Sequence, residues 1–341
     1  MTLYRLALLG FGNVGQALAR LLLSKKGQLQ ADFGLDFTVT GIYTARHGAA
    51  IDPAGLDLNQ AIAMGERKES LNTLSAVPEI PSALEFIRRS SADVLFENTP
   101  VNYQTGQPAL DHLRTALELG MHAITANKGP VVHGYRQLTE LARSKGRKFY
   151  FESAVMDGAP IFSLFREALP SARLQAFHGI LNSTTNLILG RMEDGEAFDQ
   201  AVAYAQSIGI AETDPSGDID GWDAAVKVSA LVTVLMDTPL KPVEIEREGI
   251  RGLTPADIQR ARQEGKRWKL VCSARREQGG VTARIAPQMV GPDSVLYVVN
   301  GTSSLVQFET DVLSGLTIIE NDPGPETTAY GLLADFLNAV R

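Results

Sequence analysis

The sequence predicts an α/β protein in two parts: a Rossmann-type doubly wound parallel sheet, then an α+β catalytic and dimerisation part. Two observations predict it. A short apolar strand runs into the glycine pattern Gly10-Phe11-Gly12-Asn13-Val14-Gly15 at the head of an amphipathic segment. Strand-like and helix-like stretches then alternate to about residue 150, after which the rhythm changes.

Tyr4–Leu9 is apolar, short and ended by glycine, so it reads as a buried strand. Asn13–Leu23 carries Val14, Ala17, Leu18, Leu21 and Leu22 at helical spacing, and the polar, Gly-containing stretch behind it reads as a connection. Thr38–Tyr43 is β-branched and aromatic, a second strand. Residues 45–80 show no clear period. Ala83–Arg89 reads as helix, Asp93–Phe96 as strand, Leu110–Leu119 as helix stopped by Gly120, and His122–Thr125 as strand. Tyr135–Ser144 reads as helix and Lys148–Glu152 as strand. Such alternation implies parallel pairing with right-handed crossovers.

Beyond residue 153, Ala159–Leu169, Phe198–Ile208 and the apolar Trp222–Leu235 read as helices. Gln175–Leu181, Lys269–Arg275, Val281–Ala286 and Ser304–Leu313 read as strands, and Thr328–Val340 as an amphipathic last helix. The expected domains are 1–150, completed by a C-terminal helical segment 318–341, and 151–317.

A chain of 341 residues suits two cores. The net charge of −7 and the lack of a basic motif argue against nucleic-acid or acidic-membrane partners. No apolar run reaches the roughly 18 residues of a membrane span, and the first apolar run, with Arg5 the only basic residue before it and leading straight into the glycine turn, is expected to be a strand and not a signal peptide. The single cysteine, Cys272, excludes an internal disulfide and fits a reducing, cytoplasmic setting; in its apolar run it reads as a small core residue.

The glycines have separate tasks. Gly10 permits the tight turn, Gly12 lets backbone approach a pyrophosphate, and Gly15 lets the helix lie close to the strand. The helix start then offers N–H donors and partial positive charge to phosphates. The second strand ends Tyr43-Thr44-Ala45-Arg46-His47, without the acid that usually grips an adenosine ribose. Arg46 suits a 2′-phosphate, which predicts NADP over NAD, unless it is only a solvated loop charge. Thr99 and Pro100 follow a strand end where such sheets meet the nicotinamide.

Lys128 follows a strand at the sheet's carboxyl edge, where ligands bind; the plainer reading is a surface lysine. Asp223 and Lys227 are four apart on one otherwise apolar helix and share a face. Partial desolvation there suits Lys227 to proton transfer, although a purely structural ion pair is the alternative. Asp220 suits that helix's N-cap. The acids Glu212, Asp214, Asp218 and Asp220 crowd the preceding loop, where they suit either a substrate ammonium or turn chemistry around Pro215 and Gly217.

With Ala126-Asn127-Lys128, Gly179 through Asn186, and Glu212 through Lys227 in view, the chain resembles the homoserine dehydrogenase family along almost its whole length. That resemblance implies interconversion of L-homoserine and L-aspartate 4-semialdehyde with NAD(P). It implies Lys128 and Lys227 as active-site lysines, Glu212 and Asp223 as binders of the substrate amine, and Asn182 and Thr184 in the substrate-domain motif, which Asp218 of the acid-rich loop is expected to join in binding substrate. It also implies a monovalent cation, usually sodium, at Glu152 with carbonyls near Val155, Asp157 and Ala159, and a homodimer. Three positions depart from the family pattern: Val155-Met156-Asp157-Gly158-Ala159 replaces a glycine-rich segment, Ser183 replaces a glycine, and Gly324-Pro325-Glu326 replaces Gly-Ala-Gly. The chain ends soon after the last helix, so no regulatory amino-acid-binding domain, and no threonine control through one, is expected. The rivals are a dehydrogenase for another hydroxy or amino acid and a non-catalytic nucleotide sensor.

Overall fold

β1 (Thr2–Leu9) is apolar on both faces from Leu6 onward because both faces are covered. Leu6 and Leu8 join a core with Leu18, Leu22 and Phe336, while Ala7 and Leu9 join a second core with Phe86 and Leu95. The computed structural model describes residues 2–341. They divide into two units: the chain to Pro160 together with Gly324–Arg341, and Ile161–Pro323.

In the first unit β1 leads to α1 (Asn13–Phe33), β2 (Leu35–Tyr43), β3 (Ala49–Ile51), α2 (Leu58–Glu66), α3 (Ala83–Arg89) and β4 (Val94–Glu97). Then come α4 (Ala109–Glu118), β5 (His122–Thr125), α5 (Lys128–Ser144) and β6 (Phe149–Tyr150). The sheet order is β3-β2-β1-β4-β5-β6, parallel except for β3. The order reverses between β1 and β4, and the crevice beyond the carboxyl ends of such strands is where doubly wound sheets bind ligands. Leu9, Glu97 and Thr125 lie side by side as the last residues of β1, β4 and β5.

Several sequence expectations change. The polar stretch after Leu23 is not a connection; α1 runs on to Phe33 and stops at Gly34, whose φ of 62° is the left-handed cap. Its polar residues form the solvent side, and Leu29 returns to the core. The irregular region 45–80 contains β3 and α2, the latter capped by Asp57. Helix α5 starts at Lys128 rather than Tyr135, because Asn127 caps it and Pro130 sits in the first turn, where a missing N–H costs nothing.

The second unit holds β7 (Leu174–Ile180), α6 (Ser183–Glu193), α7 (Phe198–Ser207), the short α8 (Ser216–Ile219), α9 (Trp222–Leu235), β8 (Glu246–Arg247) and α10 (Pro255–Gln263). They are followed by β9 (Arg267–Glu277), β10 (Gly280–Val290), β11 (Ser304–Thr310) and β12 (Leu316–Glu320). Its sheet, β12-β11-β7-β9-β10-β8, is antiparallel apart from the β10–β8 pair. Helices α6 and α9 pack on β9. The expected helix over 159–169 is shorter, helical from 162 to 168, and its part Leu164–Ala168 is π-helical. Residues from 318 do not begin the last helix: Leu316–Glu320 pairs with β11 as an edge strand, and α11 (Pro325–Val340) starts later. Helix α11 returns to the first unit and packs against α1, with Phe336 edge-on to Tyr4. Cys272 is fully buried in β9, as its apolar run implied. Among the described residues no helix is long and apolar enough to cross a membrane.

Candidate active site

The glycine turn follows β1. Gly10 has φ +99°, and a Cβ there would lie 2.5 Å from the Asn98 carbonyl oxygen. A Cβ on Gly15 would lie 2.3 Å from the Gly10 carbonyl oxygen, so strand and helix approach too closely for any side chain. Gly12 differs: its added Cβ would meet nothing within 4 Å. It is the N-cap of α1, with no side-chain cap and no acid in the first turn. Uncapped amides, a positive helix end and open space above Gly12 together form a cradle that fits a pyrophosphate. The Gly10 N–H donates to the Tyr43 carbonyl (2.9 Å), tying this turn to the end of β2. There the chain forms a tight loop in which the His47 N–H donates to Thr44 Oγ1 (2.7 Å) and Arg46 is exposed.

At the neighbouring strand ends, the Thr99 N–H (3.1 Å) and hydroxyl both donate to Glu97 Oε1, and the Thr125 hydroxyl donates to Glu97 Oε2 (2.9 Å). Asn127 Nδ2 donates to the Thr99 carbonyl (3.1 Å), and Asn127 Oδ1 accepts from the Gly129 N–H (3.0 Å), which starts α5 with Lys128 as its first residue. The sequence reading named Thr99, Pro100 and Lys128 but missed Glu97 and Asn98. It ended the strand at Phe96, whereas the signal was an acid closing an apolar run. Asn98 is a second miss: both atoms of its amide are buried without a hydrogen-bond partner, beside the Gly10 turn.

In the second unit, Asn182 follows β7 and caps α6, its Oδ1 accepting from the Thr185 N–H (2.8 Å). Its Nδ2 donates to Asp218 Oδ1 (2.7 Å) and Asp223 Oδ2 (3.0 Å), so one buried amide bridges two carboxylates. Lys227 Nζ pairs with Asp223 Oδ2 (3.2 Å) and donates to the Leu181 carbonyl (2.7 Å), with the side chain 16% exposed. Burial, and then the nearby Asp223 charge, raises the Asp218 carboxyl above its ordinary range. Thr184 is buried beside this cluster, its hydroxyl donating to the Ile210 carbonyl (3.3 Å). Glu212 lies in an exposed run, its carbonyl accepting from Gln206 Nε2 (3.2 Å).

Asp214 has the turn role expected of it, accepting from the Ser216 N–H (3.0 Å). Asp220 does not cap α9: Gly221, at φ +79°, takes that position, and the Asp220 carboxylate instead holds Arg251 (2.9 and 3.0 Å). In the segment expected to hold a cation, Glu152 is buried and its N–H donates to Asp335 Oδ2 (2.7 Å). Val155 and Ala159 are also buried. Asp157 has φ +32°, a conformation that favours glycine, and accepts from the Thr327 hydroxyl (3.2 Å).

Residues 10–152 match the family model of the homoserine dehydrogenase NAD-binding domain, and residues 160–337 match that of homoserine dehydrogenase. The chain belongs to the homoserine dehydrogenase family. A NAD(+)-dependent homoserine dehydrogenase of Pseudomonas canavaninivorans is 34% identical over 99% of this chain and 96% of its own. A crystal structure assigned as homoserine dehydrogenase from Archaeoglobus fulgidus superposes with a TM-score of 0.87 at 28% identity, covering 98% of each chain. A hyperthermophilic archaeal homoserine dehydrogenase in complex with NADPH gives 0.84 at 28% identity, covering 99% of this chain and 98% of its own. The resemblance read from the sequence is therefore borne out, as are the α/β class and the NAD(P)-dependent dehydrogenase function. The rival readings gain no support.

Proposed function

We propose that the chain interconverts L-homoserine and L-aspartate 4-semialdehyde (the reaction classified as EC 1.1.1.3) in the synthesis of threonine and methionine. The observation that carries this reading is the Asn182–Asp218–Asp223–Lys227 cluster, in which one buried amide bridges two carboxylates and Lys227 pairs with one of them. A bound nicotinamide supplies or accepts the hydride. Asp218 and Asp223, with Glu212, hold the substrate ammonium, and Asn182 and Thr184 shape their surroundings. In the reductive direction Lys227 delivers a proton to the carbonyl oxygen, and Lys128 polarises that oxygen. A lysine that stabilises developing charge in a dry site contributes a few kcal/mol to the barrier.

Gly10, Phe11, Gly12, Asn13, Val14 and Gly15 cradle the pyrophosphate, and Thr99 and Pro100 line the nicotinamide end. Arg46, with no acid between Tyr43 and Ile51, supports NADP as the preferred cofactor, NAD being the alternative. A sodium ion at Glu152 and the carbonyls of Val155, Asp157 and Ala159, a homodimer and a cytoplasmic setting complete the proposal. The dimer is supported by the second sheet, where His178, Ser273 and Gln307 line a partly exposed polar face behind the buried Phe177 and Phe308.

The test is a spectrophotometric assay of purified protein with L-homoserine and NADP, then NAD. Turnover with homoserine is expected, with the lower KM for NADP. Replacing Arg46 with alanine raises the NADP KM by about tenfold and leaves that for NAD unchanged. A lower KM for NAD in the unaltered protein refutes the preference, and no turnover with either refutes the reaction.

A further inference from the structure

The fully buried Glu97 carboxylate belongs to no part of the chemistry assigned above, yet three elements converge on it. It closes β4 between the ends of β1 and β5. One oxygen takes both donors of Thr99, and the other takes the Thr125 hydroxyl, which it shares with the Glu97 carbonyl (2.8 Å). Thr125 Oγ1 in turn accepts from the Asn127 N–H (2.9 Å), and Asn127 reaches back to the Thr99 carbonyl. The loop of bonds is closed: carboxylate, Thr99 turn, Asn127, Thr125, carboxylate. Beside it, His112 Nδ1 stands 3.7 Å from Glu97 Oε1, so the ring packs against the carboxylate without bonding to it. A buried carboxylate is costly unless its lone pairs are satisfied, and satisfying these ones fixes the spacing of the two turns.

We propose that Glu97 is a positioning residue: it locks the Thr99–Pro100 turn to the cap of α5 and so sets where Lys128 and the nicotinamide-facing backbone stand. This rests on the reading that those turns meet the nicotinamide. Both turns are short, and Glu97 and Asn127 tie them to each other. Freeing them costs orientation rather than binding surface, an effect expected mainly in kcat.

The test compares Glu97→Met, which keeps length but removes both acceptors, with Glu97→Gln, Thr125→Val and the Glu97→Met/Thr125→Val double variant. Melting temperature, NADPH affinity by fluorescence, kcat and homoserine KM are read for each. Folded Glu97→Met should lose at least about tenfold in kcat and about threefold in NADPH affinity, with homoserine KM little changed. Glu97→Gln should recover part of the loss, and the double variant should be no worse than the poorer single one. Folded Glu97→Met with kcat within about twofold of the parent, or losses that multiply in the double variant, overturns the proposal. Should Glu97→Met fail to fold, Thr125→Val decides, and normal turnover in it overturns the proposal. If the unaltered protein binds NADPH but never oxidises homoserine, the functional reading fails instead. NADPH affinity then judges Glu97: a loss in Glu97→Met supports its role, and no loss overturns it.

Discussion

Replacing Gly12 with alanine separates folding from cofactor binding more sharply than any other single change. The added methyl meets no atom within 4 Å, and the backbone at φ −79°, ψ −153° is open to alanine. Restricting the unfolded chain stabilises by about 0.4–1 kcal/mol, and alanine is a poorer N-cap than glycine by a similar amount. The two offset, so the melting temperature should stay within about 2 °C. Binding should not survive as well. The methyl occupies the space over the helix start and pushes a phosphate back by about 1.5 Å, breaking one charge-assisted N–H bond worth about 1.5–3 kcal/mol. NADPH affinity, read by fluorescence titration, should fall about 10- to 150-fold. Gly15→Ala is the contrasting control, because its methyl would lie 2.3 Å from the Gly10 carbonyl oxygen and must move backbone. That variant should lose about 1–3 kcal/mol of stability. Undiminished NADPH binding by a well-folded Gly12→Ala protein would refute the placement of the pyrophosphate.

Lys227→Ala should lower kcat by at least about a hundredfold with the circular dichroism spectrum unchanged; near-normal turnover removes the lysine from the chemistry. Asp218→Asn should raise homoserine KM by at least about tenfold. It should also stabilise the fold increasingly as pH rises through the carboxyl's elevated range, because burial beside Asp223 penalises the ionised form; melting curves that match the parent's at every pH contradict this. His122 is pushed from 6.5 down to about 4, by burial first and then by Arg147 and Lys148, and its Nδ1 accepts from the Lys148 N–H. Its native-state value lies below the unfolded one. The stability tied to the neutral ring is therefore complete above pH 6.5 and lost as pH falls through about 4. His122→Asn should flatten that part of the pH–stability curve, and an unchanged slope rules the histidine out.

Local features are legible in the chain alone. Glycines at 10, 12 and 15 after an apolar strand specify a nucleotide turn, because each does a steric task readable at its own position. Asp223 and Lys227 meet because helical spacing brings them together. Boundaries were harder to read: the polar residues after Leu23 looked like a connection but form the wet side of a longer α1, and α5 begins at Lys128, seven residues before Tyr135, with Pro130 in its first turn. Tertiary structure alone decided the rest. Glu97 meets Thr125 across 28 positions through sheet register, and Asn182 reaches Asp223 across 41. Residues 316–320 became a strand because β11 offered an edge, and α11 returned to cover α1. Periodicity records which residues share a face of one element. It does not record which elements lie side by side, and polar groups that must be satisfied on burial find their partners only once that packing is settled.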